Sequence, residues 1–318
     1  MTDKPIVIAH RGASGYLPEH TLEAKKLGFS MGADYLEQDL VLSRDDELIV
    51  IHDIHLESVT NVVQKFPYRA RDDGHFYVID FDWDELKQLK VHERIDPKTG
   101  LAIYPNRYPV YKGNFNLHKL EDELRLIQVL NKKNNKHIGI YPEIKKPSFH
   151  HQEGKDLAAK TLEVLDSFGY VSKTDRCFFQ CFEQKELQRV RHDLNSDLKL
   201  VQLIGGGPDN QMATLDGLNE ISDYANGIGP ALDRLFSAAD SSEGYSSYQL
   251  VIFPKLVSMA HEQGLLVHPY TFRKETIPQD IDLVTFGKMV LQLIRIDGFF
   301  TDFPDLGVES VNRFLESR

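Results

Sequence analysis

Two carboxylates, Glu37 and Asp39, flank Gln38 within the otherwise apolar run from Tyr35 to Leu42. In a strand, residues at this spacing leave the same face. A second apolar run, from Leu48 to Ile51, ends in His52-Asp53. The connection between the runs is too short for a helical crossover, so they are expected to pair antiparallel. With the turn centred on Asp45 and Asp46, Asp39 falls opposite His52, and Leu40/Ile51, Val41/Val50 and Leu42/Ile49 become cross-strand pairs. Ionisable groups gathered in a buried strand gain nothing unless they are paired or bind a cation. The pattern therefore predicts a divalent-metal site with a catalytic histidine beside it. A third carboxylate, Glu143, closes the strand-like stretch Ile138–Lys145. Glu37, Asp39 and Glu143 offer only oxygen ligands, which suit Ca²⁺ or Mg²⁺ better than zinc. An ordinary ion pair would account for any one of them, but less well for three, each with a basic residue near.

Two histidines at strand ends, His10 and His52, suit a general acid and a general base, because imidazole changes charge near neutral pH. Arg11 and Lys145 are the candidate anion holders. Lys145 shares a strand face with Glu143, and a guanidinium can grip a phosphate bidentately. Other signals carry less. His150-His151-x-Glu153 lacks the spacing of a zinc motif and sits at an expected helix start. Gly205-Gly206-Gly207-Pro208 is not followed by Lys-Ser/Thr, so it is no P-loop and reads as a mobile loop. No nucleophile-elbow serine or reactive-cysteine context occurs. Phe182, Tyr270, Phe272 and Phe303 read as core or pocket walls, or as a slot for the organic part of a substrate.

The elements that must position these groups alternate. Eight candidate strands, at 6–10, 35–42, 48–52, 138–144, 176–182, 198–204, 265–271 and 298–302, are interleaved with amphipathic helices, including one over His151–Phe168. Short apolar strands alternating with helices argue for an α/β fold, a parallel sheet closed into a (β/α)8 TIM-type barrel. Several strands end in polar groups, among them His10, Glu143, His268 and Asp302, and chemistry in such barrels sits at the carboxyl ends of strands. A doubly wound open sheet is the runner-up, but its Gly-x-Gly-x-x-Gly turn is absent. Residues 54–113 lose periodicity and read as a small subdomain inserted into a single catalytic barrel of residues 1–318, covering one end of it. The net charge of −11 argues against non-specific nucleic-acid binding. Cys177 and Cys181 would lie roughly 13 Å apart in one strand, too far for a mutual disulfide. No apolar run is long enough for a membrane span. The N-terminus carries no signal-peptide core, so the expected compartment is the cytoplasm, or the periplasm if a leader has been removed.

His10-Arg11-Gly12-Ala13, Pro18-Glu19-His20-Thr21, Glu37-x-Asp39, His52-Asp53, Pro142-Glu143-Ile144-Lys145 and Thr301-Asp302-Phe303-Pro304 together resemble the glycerophosphodiester phosphodiesterase family. The likeness covers nearly the whole chain and looks closest to the long, periplasmic-type bacterial form. It implies a barrel of the phosphodiesterase type and hydrolysis dependent on one divalent cation, Ca²⁺ or Mg²⁺. Matched residue by residue, it implies Glu37, Asp39 and Glu143 as metal ligands, His10 and His52 as the acid–base pair, and Arg11 and Lys145 as phosphate holders. The expected partner is a small glycerophosphodiester, such as glycerophosphocholine or glycerophosphoethanolamine, cleaved to glycerol 3-phosphate and an alcohol. A phospholipase-like activity on membrane lipid would call for an apolar rim or a basic interfacial segment. An inert binding barrel need not keep all seven of these groups.

Overall fold

A computed structural model describes residues 4–206, 211–239, 249–252, 254–278 and 280–318. Its strands are β1 (Ile6–Ala9), β2 (Tyr35–Leu42), β3 (Leu48–Val50), β4 (Lys90–Val91), β5 (Phe115–Asn116), β6 (Gly139–Ile144) and β7 (Phe178–Cys181). They continue with β8 (Lys199–Ile204), β9 (Gly227–Pro230), β10 (Phe236–Ala239), β11 (Gln249–Ile252), β12 (Leu266–Val267) and β13 (Gly298–Thr301). The main sheet has nine strands. Eight run in the order β12-β9-β8-β7-β6-β2-β1-β13, and β3 hangs off β2. The neighbours along that path pair parallel. Beyond β12 the chain closes the ring: Phe300 N donates to Pro269 O at 3.0 Å, and Phe272 N to Phe300 O at 2.8 Å. The fold is the TIM-type barrel.

The membership of the barrel differs from the expectation in one strand. Leu48–Val50 is the antiparallel partner of β2 and lies outside the ring, and β9 takes the eighth place. The hairpin register is also shifted by one residue from the expected pairing: Leu40 faces Val50, Val41 faces Ile49 and Leu42 faces Leu48. Ser43 N bonds to Glu47 O, closing a three-residue loop with Asp46 at φ 61°. That is a common hairpin geometry, with a left-handed residue at the end of the loop. The helix expected over His151–Phe168 is two helices, Pro147–Gln152 and Leu157–Ser167, parted at Gly154 with φ +76°. Asp156 caps the second by accepting from Ala159 N. His150 takes no part in a metal site; its Nε2 accepts from Leu42 N at 3.2 Å. Cys177 and Cys181 are both buried and unpaired.

Alternation along the strands sorts the barrel interior into layers. Ile8, Tyr35, Tyr141, Phe178, Val201 and Phe300 form a buried apolar plug. Two residues further toward the carboxyl ends stand His10, Glu37, Glu143, Gln180, Leu203 and Asp302. The polar layer thus rests on a floor of packed aromatic rings that keeps water out from below. The main hydrophobic core lies outside the ring, between the strands and the surrounding helices. A separate cluster, with Leu56, Val59, Val62, Phe76, Val78 and Phe81, packs residues 54–113 onto Val41, Ile49 and Ile51 of the hairpin. Among the described residues no helix is long and apolar enough to cross a membrane. The Gly-Gly-Gly-Pro stretch and the loop that the sequence predicts over Ser237–Ser247 fall partly outside the described residues, at Gly207 and Pro208 and at 240–247, while Ser237–Ala239 belong to β10.

Candidate active site

The turn after β1 begins the site. Arg11 and Gly12 have φ of 56° and 86°, and a Cβ at Gly12 would sit 2.7 Å from the carbonyl carbon of Ala24. Only glycine fits there, so the chain can double back against helix Leu22–Ser30, whose N-cap Thr21 accepts from Ala24 N. The tight turn points Arg11 N at Glu37, which accepts from it at 2.7 Å.

Glu37 and Asp39 come from β2, and the parallel register sets Asp39 beside Glu143 of β6. All three are buried, and one carboxylate oxygen from each lies within 4.8 Å of the others. Like charges this close in a dry site raise one another's pKa. Burial, reinforced by Asp39, lifts Glu143 to about 7. Burial, then Asp39 and later Glu143, also raises Glu37 well above the usual carboxylate range. Asp39 is the exception: against its burial, Lys145, His20 and His52 hold it well below that range. Its Oδ2 accepts from His20 Nε2 at 2.7 Å. Its Oδ1 is buried without a hydrogen-bond partner, although Lys145 Nζ lies 3.6 Å away. An orphaned anionic oxygen among all-oxygen donors is what a hard cation fits, so the residues present suit Ca²⁺ or Mg²⁺. Below the site, the fully buried Lys25 Nζ donates to the backbone oxygen of Glu37 and pairs with Glu123 at 3.1 Å, which fixes β2.

The two histidines line the same cleft as this cluster. His10 Nδ1 lies 2.6 Å from Asp302 Oδ1, and its Nε2 3.8 Å from Glu37 Oε2. His52 Nδ1 lies 2.6 Å from Asp53 Oδ1. A carboxylate beside Nδ1 calls for a proton there, which leaves each Nε2 as the working nitrogen. Burial lowers His10 to about 3, and burial with Arg11 and Lys145 lowers His52 to about 4, so both rings are neutral bases at pH 7. The two carboxylates are themselves held. Asp302 accepts from Arg107 Nη2 and Arg273 Nε, both at 2.7 Å, and Asp53 from Arg94 Nη1 at 2.6 Å. Arg94 also grips Glu19 at 2.7 Å, and Glu19 accepts from Arg11 at 3.0 Å. Lys145 Nζ sits 2.5 Å from Glu143 Oε1.

His10, Arg11, Glu37, His52, Glu143 and Lys145 thus line a single cleft of about 900 Å³, with Asp39 just beneath them. Of the aromatic residues, Phe182 and Tyr270 line this cleft, whereas Phe272 and Phe303 are buried in the core. Sequence reasoning did not find Arg94, Arg107 or Arg273, nor the bond from Asp302 to His10. Asp302 had a signal, being polar at a strand end. Arg94 and Arg107 lie in the aperiodic insertion, where spacing says nothing.

The raised pKa of Glu143 sets a pH dependence. Below about 7 the metal-free protein holds a proton on this residue, which a cation bound there would have to displace. Calcium affinity is expected to fall by up to about tenfold per unit as pH drops through 7, with proton release. Calorimetry in buffers of differing ionisation enthalpy measures this. For the metal-free protein the sign is reversed. The folded state binds more protons than the unfolded one between 4.5 and about 7, so the Glu143 contribution to stability falls as pH rises through that window.

Residues 10–306 match the model of the glycerophosphoryl diester phosphodiesterase family. The chain is 42% identical to a glycerophosphodiester phosphodiesterase of Haemophilus influenzae, over 97% of this chain and 90% of that protein. It is 38% identical to one of Treponema pallidum, over 97% and 92%. A solved structure of a putative glycerophosphoryl diester phosphodiesterase from Silicibacter pomeroyi superposes with TM-score 0.69 at 22% identity, covering 99% of this chain and 95% of that one. A phosphodiesterase of Oleispira antarctica, in complex with sn-glycerol-3-phosphate as product, does so with TM-score 0.64 at 18% identity, covering 97% of each chain. The chain belongs to the glycerophosphodiester phosphodiesterase family.

Proposed function

We propose that the protein hydrolyses glycerophosphodiesters to glycerol 3-phosphate and an alcohol, by acid–base catalysis between His10 and His52 over a cation held by Glu37, Asp39 and Glu143. The observation that carries this reading is two imidazoles, each with a carboxylate at Nδ1, in one cleft above three converging carboxylates. When bound, a divalent cation would neutralise the triad and stabilise charge on the phosphoryl oxygens. Arg11 and Lys145, whose charges face the cleft, hold the phosphate beside it. A phosphodiester anion between the rings also favours the imidazolium form, which both rings resist in the free protein. One neutral Nε2 takes the proton of the attacking hydroxyl, which belongs either to water or to the substrate's own 2-hydroxyl, the latter giving a cyclic phosphate that water then opens. The other histidine, made an imidazolium as the anionic substrate binds, delivers its Nε2 proton to the departing alkoxide and is neutral afterwards. Asp302 and Asp53 keep the working nitrogens aimed through both steps, and the arginines behind them keep those carboxylates ionised. Residues 54–113 act as an inserted subdomain whose Arg94 and Arg107 tie it to these two carboxylates.

The test is glycerol 3-phosphate release from glycerophosphocholine, followed by a coupled dehydrogenase. Turnover that a chelator abolishes and calcium or magnesium restores is expected. Release of phosphocholine, or turnover indifferent to chelator, would contradict the assignment.

A further inference from the structure

The neck of the inserted subdomain carries a second group of metal-ligating side chains, of a different chemistry from the acidic triad. The sequence there reads His55-x-Glu57 and, after a loop, His75-x-Tyr77. Leu56 N donates to Phe76 O and Val78 N to Ile54 O, both at 2.9 Å, so the two stretches run antiparallel with His55 opposite Tyr77. That register sets Glu57 opposite His75, and alternation puts all four side chains on one face. Both are non-hydrogen-bonded pairs, in which side chains come closest. One ring nitrogen of His55, one of His75 and one oxygen of Glu57 lie within 4.8 Å of one another. The two imidazoles stack, with centroids 4.3 Å apart at 10°, and Tyr77 meets His55 edge on at 4.4 Å. Glu57 is buried; its Oε2 accepts from Phe76 N at 3.2 Å, and its Oε1 is paired with His75 Nδ1. Among the described residues, no lysine or arginine pairs with this carboxylate. His55 Nε2 is buried with no hydrogen-bond partner. The other histidine-containing cluster, His151, Asp156 and Glu186, differs in being neutralised already, because Arg189 pairs with both acids.

A buried ring nitrogen without a partner costs free energy, as does a buried carboxylate without a cation. One metal ion answers both. We propose that His55, Glu57 and His75 form a second metal site, for a transition-metal ion of the zinc class, separate from the acidic triad. Two imidazoles and one carboxylate are a zinc donor set, whereas calcium and magnesium take oxygen ligands. The ion takes the place of the proton between His75 and Glu57, and the unpartnered imidazole of His55 supplies the third ligand. Stacked rings must splay to share one ion, and His75, with 46% of its side chain exposed, has room to turn. The bond from Phe76 N to the second oxygen of Glu57 is the kind of outer contact that orients a ligand. Three protein ligands leave the fourth tetrahedral position to water, so the ion exchanges with solvent. Bound there, it staples Ile54–Leu56 to Phe76–Val78 at the base of residues 54–113, directly after His52-Asp53. The site takes no part in the reaction proposed above and stands or falls independently of it.

The experiment titrates zinc into the protein in saturating calcium, by calorimetry, in wild type, Glu143→Gln and His75→Gln. Wild type and Glu143→Gln are expected to bind zinc alike, and the affinity to fall by at least about 10²-fold in His75→Gln. Zinc should raise the melting temperature of wild type and leave that of His75→Gln where it was. A crystal grown with zinc and calcium, recorded at the zinc absorption edge, locates the ion without any variant. The expected peak lies within about 2.0–2.2 Å of a nitrogen from each histidine and an oxygen of Glu57. No zinc binding to wild type, equal affinity in wild type and His75→Gln, loss of zinc in Glu143→Gln, or a peak among Glu37, Asp39 and Glu143 alone would overturn the site.

Discussion

His10→Ala and His52→Ala are each expected to lower kcat by at least about 10²-fold, the scale on which a positioned proton donor or acceptor contributes. The two losses should not add in the double variant, because acid and base serve one proton-transfer sequence. Folding should survive in both. His52 is about 30% exposed and sits past the end of its strand. Removal of His10 leaves Asp302 still paired with Arg107 and Arg273. Steady-state kinetics alongside thermal melts separate a chemical defect from an unfolded protein. Asp53→Asn should give a smaller drop in kcat, since it removes the group that aims His52 but not the imidazole itself. Near-wild-type turnover in both histidine variants would remove the mechanism.

Glu143→Gln should weaken calcium binding by at least about 10²-fold, the upper range seen when even an outer-shell partner of a ligand is lost. The metal-free protein should not be destabilised. Burial already raises Glu143 to about 7, and glutamine is the neutral shape of the protonated acid, so the change relieves a crowded charge. Lys145 also keeps a second acid, Asp39, at 3.6 Å. The expected pattern is a wild type whose melting temperature rises with calcium and a variant whose does not. Activity in the variant should return only at much higher calcium. An unchanged titration would count against the triad.

The acidic cluster was legible because strand alternation carries Glu37, Asp39 and Glu143 to one end of one sheet, and period two is hard to misread. What the sequence concealed has identifiable causes. Strand β9, Gly-Ile-Gly-Pro, reads only as a short extended piece and not as one of the eight barrel strands, because its neighbours come too close for side chains at the two glycines. A Cβ at Gly229 would fall 2.6 Å from Leu203 Cδ2, and one at Gly227 2.9 Å from Leu266 O. The hairpin register turned on whether the loop held two residues or three, and Asp46 tolerates the left-handed conformation that makes it three. The arginines behind Asp53 and Asp302 reach them from an irregular segment, so only coordinates reveal those bonds.

The claim beneath all of this is that one cation sits among the carboxylates of Glu37, Asp39 and Glu143, between two imidazoles. A crystal soaked in Mn²⁺, with anomalous scattering recorded, examines it directly. The account predicts a single strong peak within about 2.0–2.6 Å of an oxygen from each of the three residues, the range for hard cations on carboxylates. Carboxylates turned toward separate partners, with no peak between them at saturating manganese, would contradict it.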